Sequence, residues 1–186
     1  MTESQLIQHI STFDKRIRMV KLRSKLKEQN FSLSELVDLT FYPDKQIAIK
    51  ASKIMQYIVY KFAENYIEDI AYLLAHVTDV KLLGCKKHYA KIIMHLTSPE
   101  VAKDVRAVMK DIDLEPMVEL CFNWMNDPKM LTGVRASAAE ALFNMRHRYP
   151  WIAEGLSCQL EAMMLSATPM FRARGNYILS FLHCED

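Results

Sequence analysis

Apolar residues recur at three- and four-residue spacing along almost the whole chain, with polar positions falling on the opposite side of a helical wheel. That period predicts helices near 3–28, 32–41, 45–62, 65–77, 81–96, 99–110, 114–126, 131–148, 150–165 and 169–183. No stretch alternates apolar and polar residues with the β-branched enrichment of a strand. Connections are only a few residues long, so successive helices must run antiparallel or cross sharply. The expected fold class is all-α.

Punctuation supports these boundaries. Ser98-Pro99-Glu100, Asp127-Pro128 and Thr168-Pro169 each place a capping side chain before a proline, which a helix tolerates at its first position. Ser32 and Glu35 have the spacing of a capping box. Gly84 and Gly133 stand just ahead of apolar helical patterns, where tight turns are expected.

A second, longer period overlies the first. A large apolar residue followed by a cation, then a small residue, then another large apolar one returns about every 40 residues. Val134-Arg135 with Ala138 and Leu142 is the clearest copy; Phe171-Arg172 with Gly175 and Leu179 is a second. Ile47-Ala48 with Ala51 and Met55 is looser, and Cys85-Lys86 is followed by Tyr89 where a small residue belongs. Such self-similarity marks stacked helical pairs, since one pair cannot bury its apolar face alone. The small residues Ala51, Ala138 and Gly175 fall where paired helices would approach most closely.

On Asp127-Pro128 with Val134-Arg135, Ala138 and Leu142, and on Thr168-Pro169 with Phe171-Arg172, Gly175 and Leu179, the chain resembles HEAT and armadillo-type repeats. The resemblance implies an α-α superhelix, a right-handed solenoid of four to five helical pairs. It spans 31–183 of a single domain covering 1–186, with a basic capping helix over 1–30. It also implies pairing between a turn Asp and a helix Arg of neighbouring repeats, and a concave surface lined by the second helix of each pair. The segment from Cys121 to Ile152 is similar to short bacterial helical-repeat chains, some labelled adenylosuccinate lyase. The Ser- and Gly-rich loop of the true lyases has no counterpart here, so no such activity is expected.

Composition narrows the function classes. Four glycines among 186 residues are too few for a phosphate-cradling loop, and a net charge of +2 makes no case for a polyanion or an anionic membrane. Cys85, Cys121, Cys158 and Cys184 lack CxxC spacing and sit among apolar residues, as buried thiols of a reducing compartment would. No signal peptide or bilayer-spanning run is evident, so a cytoplasmic chain without membrane association is expected.

Cations do cluster locally. Lys15, Arg16, Arg18, Lys21, Arg23, Lys25 and Lys27 flank apolar stripes through Leu6, Ile10, Phe13 and Ile17 and through Met19, Leu22 and Leu26. This pattern suits a solvated cap whose basic stems cover the core edge. With the small residues facing the core, the outward faces carry Lys53, Tyr57 and Tyr60; then Lys87, His88, Lys91 and His95; then Glu140, Phe143 and His147; and finally Arg174 and Tyr177. Rings interleaved with cations suit a contact surface, because rigid aromatics bury area at low entropic cost.

Chemistry is harder to place. Cys85, His88 and His95 share a helix face, but no second element offers ligands, so no metal or cofactor is expected. Ser137 and His147 lie roughly 15 Å apart along one helix and cannot form a nucleophile–base pair. Trp124 and Trp151 read as core. The expectation is a non-catalytic interaction or scaffold module, monomer or homodimer, that binds a protein partner. The alternative is a protein that binds nucleic acid or recognises a DNA lesion on the same face.

Overall fold

The computed structural model describes residues 3–11 and 32–184, which form helices and turns with no strand among the described residues. The basic stretch from Lys15 to Lys27, most of the expected N-terminal cap, lies outside the described residues. The chain divides into two compact units, Met1–His88 and Tyr89–Asp186, with the boundary inside one helix.

The first unit holds α1 (Glu3–Ser11), α2 (Leu33–Leu39), α3 (Lys45–Phe62), α4 (Ile67–Ala75) and the start of α5 (Leu83–Leu96). α2 opens on the capping box: Ser32 Oγ accepts from the Glu35 amide at 3.3 Å, and Glu35 Oε2 accepts from the Ser32 amide at 3.1 Å. Asp69 of α4 accepts the Leu33 amide at 2.9 Å, satisfying another of the donors that a helix start leaves open. Asp44 caps α3 through the Gln46 amide at 2.7 Å. α3 packs against α1 and α2, and α4 packs against α2. Leu6, Ile10, Leu36, Ile54, Met55 and Leu73 close the core, and Ala51 is wholly buried at the small position of its repeat copy.

The second unit holds the rest of α5, then α6 (Lys103–Asp111), α7 (Glu115–Asn126), α8 (Thr132–Met145), α9 (Trp151–Met164) and α10 (Pro169–Leu182). α7 pairs with α8, α9 with α10, and α8 packs on both α9 and α10. α10 starts as its sequence predicts, with Pro169 in the first turn and Thr168 Oγ1 accepting the Phe171 amide at 3.4 Å.

Two other starts differ. Ser98 Oγ accepts the Glu100 amide at 3.2 Å and the Val101 amide bonds the Ser98 carbonyl at 3.2 Å, so Pro99 sits in a turn and α6 begins at Lys103. Asp127 ends α7 instead of opening α8; its Oδ1 takes the Lys129 amide at 2.8 Å in an Asx turn. Gly84 and Gly133 lie inside the first turns of α5 and α8, not in loops ahead of them.

One regularity links sequence to packing. Arg106, Arg135 and Arg172 each occupy the fourth position of a helix, and each guanidinium returns to a main-chain carbonyl of the preceding segment. The acceptors are Val101 at 3.1 Å, Met125 at 2.8 Å and Ala167 at 3.2 Å. Arg135 also stacks on Phe171, 5.0 Å from the ring centroid. Arg135 and Arg172, the cations of the two clearest motif copies, thus fasten their helices to the chain before them, as Arg106 does outside those copies, whereas an Asp–Arg pair had been expected for Arg135. Ala138 is wholly buried on α8. At Gly175 a Cβ would meet Met164 Cε at 2.5 Å, so the missing side chain makes room for a methionine, not for a backbone.

Trp124 is buried as expected, but Trp151 is 51% exposed. It stands at the first position of α9 and stacks on Phe122 with ring centroids 5.9 Å apart, while Ile152, Leu156 and Leu160 take the core side. Cys85 and Cys121 are buried, whereas Cys158 and Cys184 are exposed. No helix of the described residues is long and apolar enough to cross a membrane.

Candidate interaction surface

Six of the residues singled out from sequence, Lys91, His95, Phe143, His147, Arg174 and Tyr177, belong to the second unit, and all of them except His95 line its clefts. A cleft of about 600 Å³ lies among α5, α8 and α10, with Lys91, Met94, Ser137, Met170, Arg174 and Tyr177 on its walls. Its width follows from small residues: Ala136 and Ala173 line it, and a Cβ on Gly133 would meet nothing within 4 Å. A second cleft of about 550 Å³ opens between the α5–α6 segment and the end of α8, and contains Phe143, His147, Tyr177 and Phe181. Tyr177 borders both.

The ridge carrying Tyr177 is a ladder of cations and rings. Arg146 lies over the Phe143 ring at 3.8 Å; Phe143 meets Phe181 at 5.9 Å; Phe181 meets Tyr177 at 4.9 Å; and Arg174 lies 5.5 Å from the Tyr177 centroid. Arg174 then pairs with Glu140 at 3.0 Å. The ladder forms because residues 140 and 143 of α8 with its C-cap Arg146, and residues 174, 177 and 181 of α10, each fall one turn apart, and α8 packs on α10. Glu140 is the more buried partner of this half-buried pair and orients Arg174 on the ridge. Asn144 donates to the Met94 carbonyl at 3.2 Å, tying α8 to α5 beside both clefts.

Exposure gives this ridge its character. Met170, Tyr177 and Phe181 are 55%, 50% and 44% exposed along one side of α10. Three large apolar side chains in one stripe are what a contact surface offers before its partner covers it. His95 is half-buried, and burial pulls its pKa below the ordinary 6.5.

The remaining residues belong to the first unit and form no such cluster. Lys53 and Lys87 are exposed, Tyr57 is half-buried and meets Phe62 edge-on at 6.2 Å, and burial raises the Tyr60 pKa. His88, expected on an outward face, is buried; its Nδ1 lies 2.7 Å from Gln56 Oε1 on α3. A wheel shows only which residues share a face, and the face of α5 that bears His88 is buried.

Sequence reasoning missed Met170, Phe181, Arg146, Arg148, Arg106 and Lys110. Phe181 follows Tyr177 by one turn and Arg146 follows Phe143 by one turn, so spacing alone could have added both. His183 is approached by both Ser157 Oγ at 3.3 Å and Glu161 Oε1 at 3.0 Å. Both meet the same nitrogen, Nε2, while a catalytic triad places the carboxylate on Nδ1. Among the described residues, no group of three His, Cys, Asp or Glu side chains could hold a metal ion.

Compared with protein-family models, curated proteins and solved structures, the chain matches none.

Proposed function

We propose that the chain is a non-catalytic helical-repeat interaction module that binds a protein partner on the ridge formed by α8 and α10 and in its flanking clefts. The observation that carries this reading is the exposed stripe Met170, Tyr177 and Phe181, bordered by guanidiniums seated on rings. Aromatic and Arg side chains dominate binding energy at protein interfaces, and methionine adapts to the shape of a partner. Phe143, Tyr177 and Phe181 would supply apolar anchors, with Lys91 and Arg174 steering an acidic partner into register. A cytoplasmic setting and the HEAT-like superhelix belong to the same proposal.

A second reading, nucleic-acid binding, draws on the same guanidinium–ring contacts, since bases also stack beside cations. Co-purification with a tagged chain from native lysate, with crosslinking and with or without nuclease, separates the two. A stoichiometric protein that survives nuclease and is lost from a Tyr177→Ala variant is the expected result. Recovery that disappears with nuclease would transfer the ridge to nucleic acid.

A further inference from the structure

The cleft bounded by α6 and the end of α8 is lined by Arg106, Lys110, Arg146 and Arg148, together with His147, and no Asp or Glu appears among the described residues lining it. Two of these cations are held in place by neutral acceptors. Arg106 Nη2 donates to the Val101 carbonyl at 3.1 Å. Arg148 Nη1 donates to the Met109 carbonyl at 2.7 Å, and its Nη2 to those of Lys110 at 3.2 Å and Ile112 at 2.7 Å. Carbonyls orient a guanidinium without cancelling its unit charge, although the C-terminal end of α6 offsets part of the charge of Arg148. Each guanidinium has five N–H donors, so both keep donors for a ligand. A positive field already fixed in geometry lowers the ordering cost of binding an anion.

The rest of the cleft is apolar. Leu96, Met109, Leu114 and Met145 form its floor beside Phe143 and Phe181. Its rings are poor platforms for a base: Arg146 covers a face of Phe143, and Phe143 and Tyr177 meet Phe181 at 58° and 59°. Tilted ring edges suit an aliphatic side chain better than a flat heterocycle. A volume of about 550 Å³ accommodates a side chain and its flanking backbone.

We infer that this cleft takes an acidic peptide segment of the partner, with an aliphatic or aromatic anchor on the Phe143–Phe181 floor and flanking carboxylates on Arg106, Lys110 and Arg148. This rests on the protein-binding reading and specifies the partner's chemistry. The test is selection of a random twelve-residue peptide library displayed on phage against the full chain, with Lys110→Glu and Arg106→Gln/Lys110→Gln variants as comparison targets. Melting curves would establish that both variants fold; Lys110→Glu alone changes only an exposed side chain. The expected outcome is enrichment of peptides with two or more Asp or Glu beside Leu, Ile or Phe, recovered at least tenfold less well on either variant. Enrichment without acids, equal recovery on the variants or no enrichment would each overturn the inference. So would fluorescence anisotropy showing that labelled oligo-dT binds in this cleft and is lost on Lys110→Glu. A protein partner captured by the wild-type chain and both cleft variants, but not by Tyr177→Ala, would leave the protein-binding reading standing while this inference fails.

Discussion

Gly84 lies so close to Ile49 that a Cβ on residue 84 would stand 2.6 Å from Ile49 Cδ1 and 2.8 Å from Cγ1. Two atoms of a β-branched side chain, stiff at χ1, block that space. Gly84→Ala should therefore cost about 1–3 kcal/mol, outweighing the gain in helix propensity. Ile49→Ala should remove most of that cost, and a thermodynamic double-mutant cycle measures the coupling. The contrast is Gly175, where the obstacle is the flexible end of Met164 and an alanine should be close to neutral.

Arg148 joins the end of α8 to the end of α6 through three carbonyls. Arg148→Ala leaves those acceptors to solvent and should cost about 1–2 kcal/mol, given that the side chain is partly exposed. Hydrogen exchange should accelerate most at 103–112. Uniform acceleration across the second unit would show that the bonds do not act locally.

His95 gives stability a pH dependence. Burial lowers its folded pKa below 6.5, so the unfolded chain takes up the proton first as pH falls. Where the unfolded state binds more protons, stability rises with pH. The contribution of His95 is thus fully present above about pH 7 and lost as pH falls through the unfolded value towards the folded one. Urea titrations between about pH 7.5 and 5.5 should show this decline, and His95→Gln should flatten it.

The four thiols should separate by reactivity. Burial pushes the Cys121 pKa up to about 12 and also raises that of Cys85, while Cys158 and Cys184 are exposed. Because the thiolate is the nucleophile, iodoacetamide at neutral pH should label Cys158 and Cys184 first and the buried pair only after unfolding. Mass spectrometry of timed digests reads the order directly.

How far the sequence could be read depended on the range of the interactions involved. Helix positions were legible because the apolar period, Ser32 and Thr168 all act within a few residues. Pro99 and Pro128 misled because a capping residue before proline also begins an Asx or ST turn, and local spacing does not distinguish the two. The aromatic and cationic character of Phe143, Arg174 and Tyr177 was visible, but their union into a ladder depends on α8 meeting α10. His88 went wrong for the same reason: a wheel shows which residues share a face, and only tertiary contacts decide whether that face is covered. The carbonyl partners of Arg106 and Arg148 were hidden too, since main-chain acceptors carry no sequence signal.

The proposal that a protein docks on the α8–α10 ridge can be tested at Tyr177 itself. Its most direct test replaces Tyr177 with the photo-crosslinker p-benzoylphenylalanine and uses the exposed Tyr72 of the first unit as the comparison position. A discrete polypeptide adduct is expected at position 177, persisting after nuclease and falling at least tenfold when Arg174→Glu is added. An adduct at position 72 but not at 177, or an adduct at 177 that nuclease removes, would contradict it.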